Sequence, residues 1–99
     1  MKNIEKLTVE ELIQTIADNY GLEPQLDQAI EEAAELIVAI RKYRRAMCPT
    51  SRERAHLIEE MADVWIMIKQ LTYLLEADVD FKMLVALKVS RQIERITGE

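Results

Sequence analysis

Two acidic clusters are the part of this chain best suited to chemistry: Glu31-Glu32-Ala33-Ala34-Glu35 and Glu59-Glu60-Met61-Ala62-Asp63. On a helix, residues three apart project side by side. Glu32 and Glu35 therefore form one carboxylate pair, and Glu60 and Asp63 another. Their neighbours on the same helical faces are apolar. Leu57, Val64, Met67 and Leu71 surround the second pair, and Ala29, Leu36, Ala39 and Tyr43 the first. Carboxylates set in an apolar stripe lie where a core is normally built. Burying them uncompensated is costly or forces them to take up protons. A hard divalent cation held by oxygen ligands removes that penalty. The pattern predicts two facing helices that form the walls of a metal site.

The elements that must position these acids follow from local signals. Thr8 with Glu11 reads as a capping box that opens a first helix, running to about Asn19. This helix offers Leu12, Ile13, Ile16 and Val9 to the core, and Gly21 is suited to a left-handed C-terminal cap. A second helix starts near Glu23 or Pro24 and reaches about Arg45. Its last turns carry Arg41, Lys42, Arg44 and Arg45, charges that suit a helix C-terminus and read first as solvated capping charge. Met47 to Ser51 forms a loop, and Thr50 with Glu53 is a second capping box. The third helix runs to about Leu75. Its segment Val64-Trp65-Ile66-Met67-Ile68 is apolar around the whole circumference, which in so short a chain calls for a second subunit. Asp78 or Asp80 is the expected N-cap of a fourth helix, from about Val79 to Ile96. That helix should place Leu84, Leu87, Ile93 and Ile96 in or near the core, with Lys88, Arg91 and Arg95 forming a basic stripe.

Composition sets limits on function. The 99 residues are 49% apolar and 31% charged with two Gly and two Pro, the profile expected of one all-α domain over residues 1–99. The single cysteine, Cys48, leaves no internal disulfide and fits a reducing cytoplasmic setting. No secretory signal pattern opens the sequence and no apolar run is long enough to cross a bilayer, so no membrane partner is expected. A net charge of −5 argues against general nucleic-acid binding but not against a small anion, since a bound metal reverses the local field. One histidine and no nucleophile motif exclude the familiar triads. His56, one turn before Glu60, reads as an exposed first-turn residue, and Trp65 and Tyr43 read as core or interface.

The run Gln25-Leu26-Asp27-Gln28-Ala29-Ile30-Glu31-Glu32-Ala33-Ala34-Glu35-Leu36, followed by Glu60-Met61-Ala62-Asp63-Val64, resembles the EExxE…ExxD signature of MazG-like proteins. These belong to the all-α nucleoside triphosphate pyrophosphatase superfamily, with dimeric dUTPases and phosphoribosyl-ATP pyrophosphatases. The tail Lys88 to Arg95 is similar to the C-terminal helix of short, often phage-associated, members. The resemblance implies a four-helix MazG-like bundle completed by oligomerisation, as a homodimer or homotetramer. It also implies a magnesium-dependent enzyme, with manganese as a possible substitute, that cleaves a nucleoside triphosphate between the α- and β-phosphates. Carried onto this sequence, Glu32, Glu35, Glu60 and Asp63 match the metal ligands, and Glu31 the supporting acid. Either Glu31 or Glu35 orients the attacking water. Gln25 and Gln28 are candidates for the base or ribose pocket, and Lys88, Arg91 and Arg95 match positions that contact phosphate. Two other readings stand beside this one. The first is a phosphoribosyl-ATP pyrophosphatase, although Val64-Trp65-Ile66-Met67 replaces the usual aromatic-histidine pair. The second is a non-catalytic helical dimerisation module.

Overall fold

A computed structural model describes residues 6–46 and 50–98, and among these residues the elements are four α-helices. The helices are α1 (Val9–Tyr20), α2 (Leu22–Arg45), α3 (Ser51–Leu74) and α4 (Asp78–Thr97). Helices α2 and α3 share the most extensive contact, and α1 packs across both. The start of the lead-in and most of the α2–α3 loop, including Cys48, lie outside the described residues.

Both capping boxes form. The Thr8 hydroxyl accepts from the Glu11 amide at 3.1 Å, and the Thr8 amide donates to the Glu11 carboxylate at 3.3 Å. At α3 the Thr50 amide donates to Glu53 Oε2 at 2.8 Å, and the Thr50 hydroxyl takes up the Arg52 amide at 3.2 Å. Each box satisfies backbone donors that a helix start leaves without partners.

The junction between α1 and α2 is tighter than the sequence predicts. Gly21 alone separates them, so α2 begins at Leu22 and Pro24 falls third, where its missing amide hydrogen is still one a helix start cannot use. Gly21 has φ 83° and ψ 174°, a conformation open essentially to glycine but not the expected left-handed helical cap. Its amide closes α1 on the Ala17 carbonyl at 2.8 Å, while its carbonyl accepts from the Gln25 amide at 3.3 Å. One residue thus ends one helix and starts the next.

The α3–α4 corner also departs from expectation. Neither Asp78 nor Asp80 caps α4. Instead, the Ala77 amide reaches back to the Thr72 carbonyl at 2.8 Å and the Glu76 amide to Tyr73 at 3.0 Å. This is a Schellman closure, with Glu76 at φ 54° in the position usually held by glycine. The chain re-enters a helix at once, with Ala77 at the cap, so Asp78 falls inside the first turn. There its Oδ2 pairs with Lys82 Nζ at 2.9 Å.

The core is small and centred on α1 to α3. Ile13, Ala17, Ala39 and Met67 are its buried apolar residues, joined by the polar Gln25, Glu60, Gln70 and Thr72. Leu12 is half-buried, whereas Val9 and Ile16 are exposed and not in the core as expected. The all-apolar run of α3 turns Met67 inward and leaves Trp65 and Ile68 outside, with Lys69 Nζ 5.8 Å from the Trp65 ring centre.

Helix α4 provides the largest correction. It has no buried residue, so Leu84, Leu87, Ile93 and Ile96 stand at the surface rather than in the core. It leans on the end of α3 and extends away from the three-helix unit. The radius of gyration is 16.9 Å, against about 13 Å for a compact chain of 100 residues. The accessible surface of 8168 Å² exceeds the roughly 5,800 Å² of a compact monomer of this mass. Among the described residues, no helix is long and apolar enough to cross a membrane.

Candidate metal and nucleotide site

Helices α2 and α3 meet along a seam of strict three-four spacing. On α2 it runs Gln25, Gln28, Glu32, Glu35, Ala39, Lys42, and on α3 it runs Glu53, His56, Glu60, Asp63, Met67, Gln70. The two helices are joined end to end by a short loop, so they oppose each other in reverse order. The two amide-bearing stretches therefore fall together, as do the two acidic pairs.

At mid-seam, Glu32, Glu60 and Asp63 bring one carboxylate oxygen each to within 4.8 Å of one another. Glu60 is 7% exposed and Glu32 and Asp63 are half-buried. Each of the two glutamates uses one oxygen within the protein and leaves the other without a partner. Gln28 Nε2 donates to Glu32 Oε1 at 2.8 Å, and His56 Nε2 lies 3.4 Å from Glu60 Oε1. Glu32 Oε2 and Glu60 Oε2 are both buried and unpartnered. Leaving a buried carboxylate oxygen in this state is costly, and a cation shared by the two glutamates and Asp63 removes the cost. All-oxygen donors suit a hard ion. Glu32, Glu60 and Asp63 are the residues that would hold such an ion, and magnesium is one that takes carboxylate and water oxygens of this kind. Gln28 and His56 would then act as outer partners that orient the ligands.

Glu35 lies at the edge of this cluster. The Glu32 carboxylate, then that of Glu60, raises the Glu35 carboxyl above its usual value of 4.5. Partial desolvation, a hydrogen bond with Glu60 and the charge of Asp63 push in the same direction. Like charges held close favour the protonated form. Glu31 is exposed on the neighbouring face and does not enter the cluster.

Beside the acids, a cleft of about 510 Å³ opens between α1, α2 and α3. Its walls include Gln25, Gln28, Glu32, Asp63, Met67 and Gln70. Ile16 and Tyr20 of α1 close its far side. Gln25 and Gln70 are 4% and 2% exposed, and neither side chain has a hydrogen-bond partner among the described residues. Two buried amides with free donors and acceptors, flanked by apolar walls, suit a flat polar ring. The chain matches no protein family, no curated protein and no solved structure.

Of the sequence candidates, the structure brings together Glu32, Glu35, Glu60, Asp63, Gln25 and Gln28. Lys88, Arg91 and Arg95 are exposed on α4 and line no part of this cleft. Gln70 and the α1 residues Ile16 and Tyr20 were not legible as site residues. Gln70 did carry a signal of the same kind as the acids, because it lies one heptad beyond Asp63 in an apolar stripe. His56 is half-buried against Glu60 rather than free at the surface.

Proposed function

We propose that this chain is a MazG-like, magnesium-dependent nucleoside triphosphate pyrophosphohydrolase. In this reading it hydrolyses a (deoxy)nucleoside triphosphate to the monophosphate and pyrophosphate. The observation that carries the reading is the pair of buried, unpartnered oxygens on Glu32 and Glu60, set beside Asp63. A protein that spends its core on carboxylates is built around a cation, and the adjoining cleft has the size and lining for a nucleobase.

The roles divide along the seam. Glu32, Glu60, Asp63 and Glu35 hold the metal, most closely the first three. When bound, divalent magnesium neutralises the charge that develops on the phosphate oxygens and lowers the pKa of coordinated water. The attacking water's oxygen bonds to the α-phosphorus while the bond from that phosphorus to the αβ-bridging oxygen breaks, and the pyrophosphate leaves with the electron pair. Glu35 is better placed than Glu31 to orient the water and take its proton, since it borders the acidic cluster while Glu31 faces away from it. Gln25 and Gln70 offer amide donors and acceptors to the edge of the base.

The uncovered apolar residues of α4 support a working form that is a homodimer or homotetramer, in which a second copy covers Leu84, Leu87 and Ile93. The test is pyrophosphate release from a panel of canonical, deoxy and modified nucleoside triphosphates with Mg²⁺ or Mn²⁺. Metal-dependent release with one or a few preferred bases is the expected result. No release from any member of the panel would retire the proposal.

A further inference from the structure

The seam continues past the acids to an end that the metal and the base do not use. Beyond Glu35 and Glu60, α2 and α3 enclose an open groove of about 630 Å³ lined by Lys42, Arg45, Ala46, Arg52, Glu53 and His56. His56 forms the wall that this groove shares with the acidic site, because its Nε2 is turned to Glu60. Lys42, Arg45 and Arg52 have no ion-pair partner among the described residues. The carboxylate on the wall, Glu53, is engaged with the Thr50 amide in the capping box.

Capping charge accounts for two of these three cations. Lys42 and Arg45 lie in the last turn of α2, where cations are favoured. Arg52 lies in the first turn of α3, where the helix dipole disfavours a cation, yet it converges on the same groove. Three cations from two helices, without ion-pair partners among the described residues and one of them placed against the helix dipole, form a site that an anion stabilises.

The order along the seam supplies the chemistry. Amides come first, then carboxylates, then cations, which matches the order of base, α-phosphate with metal, and terminal phosphates in a nucleoside triphosphate. Lys42 lies seven residues after Glu35, about 10 Å along the axis. Side chains on α2 lean back toward its N-terminus, and so toward the acids. We propose that Lys42, Arg45 and Arg52 form a polyphosphate subsite that holds the β- and γ-phosphates of the substrate and the departing pyrophosphate. This assigns to Lys42, Arg45 and Arg52, at the facing ends of α2 and α3, the role that resemblance gives to Lys88, Arg91 and Arg95. The proposal rests on the pyrophosphohydrolase reading for the identity of the bound chain, and not for the existence of the anion site.

The test is calorimetric titration of inorganic tripolyphosphate into the full-length protein in EDTA at low salt. Wild type should bind, and binding should weaken as salt rises. The triple variant Lys42→Gln, Arg45→Gln, Arg52→Gln should lose at least about tenfold in affinity, as expected for lost charge-assisted hydrogen bonds. The charge-preserving Lys42→Arg, Arg45→Lys, Arg52→Lys variant should restore most of it, which separates charge from folding. Lys88→Gln, Arg91→Gln, Arg95→Gln should stay within about twofold of wild type, since these residues lie away from the groove. No binding to wild type, unchanged binding by the first variant, or loss confined to the α4 variant would overturn the subsite. Manganese-dependent thermal stabilisation, measured in parallel, separates the two ideas. Tripolyphosphate binding without a manganese response keeps the subsite and removes the proposed reaction. A manganese response with tripolyphosphate binding indifferent to the groove variants does the reverse.

Discussion

The α2–α3 seam and helix α4 reverse the usual relation between polarity and burial. On the seam, Glu60 is 7% exposed and Gln70 is 2% exposed. On α4, Leu84 is 52% exposed and Ile96 is 80% exposed. Hydrophobicity alone would have placed these residues the other way round. Each region thus carries a different imbalance between polarity and burial. Charged groups in a core call for a compensating charge. Apolar groups in water call for another apolar surface.

This contrast can be broken first at the seam. On the proposed reaction, Glu60→Gln should lower pyrophosphate release by about a thousandfold or more, because it removes a proposed metal ligand. It should leave the helical circular dichroism intact and raise the melting temperature of the metal-free protein by relieving repulsion within the trio. Full activity in this variant would remove the metal-ligand assignment. Magnesium itself should stabilise wild type by about 2.7 kcal/mol at a hundredfold excess over its Kd, and the gain should vanish in Glu60→Gln. A melting temperature indifferent to magnesium would remove the proposed magnesium site.

Gln70→Leu sharpens the division of roles along the seam. It should change the ratio of kcat/KM between preferred and disfavoured bases by about 10² or more, with the metal-dependent stabilisation kept, because a buried amide that reads a ring edge discriminates strongly. An unchanged preference would place the base elsewhere.

On α4 the expected effects are on assembly. Leu87→Glu should dissociate or shrink the proposed oligomer in sedimentation while leaving the circular dichroism of the chain nearly unchanged, since this side chain is exposed on α4 and lies outside the α1–α3 core. Unaltered sedimentation would show that another surface is used.

The smallest effect concerns a tie between α1 and α3. The Tyr73 hydroxyl donates to Asp18 Oδ2 at 2.7 Å, and this bond, aided by desolvation and the Asp18 charge, raises the Tyr73 hydroxyl above its usual 10.0. A raised value means that the folded state favours the protonated form. The stabilisation is present in full below pH 10 and is lost as pH rises through the folded value. Tyr73→Phe should lower the melting temperature slightly at neutral pH and flatten its fall above pH 10. An identical alkaline profile in both proteins would assign the fall to other groups.

Much of the α1–α3 unit was legible because its signals are local. Thr8 and Thr50 mark helix starts through bonds spanning three residues, and Arg45 closes α2 where its charges favour it. The acids were legible because three-four spacing fixes which side chains share a face whatever the tertiary context. The Glu76 corner was not legible, since a glutamate in the left-handed region gives no sign in composition and only the Thr72 and Tyr73 carbonyls call for it. Gln70 and Tyr20 were missed because the cleft they line depends on how α1 crosses the seam.

By itself, the sequence determined four helical segments and the order of amides, acids and cations along two of their faces. Both follow from the fixed rise and turn of the α-helix. Only the tertiary structure decided that Glu32, Glu60 and Asp63 share one volume while Glu31 does not, and that α4 stands clear of the core. Those outcomes depend on which faces meet across long stretches of chain, and helical periodicity carries no information about the partner each face receives.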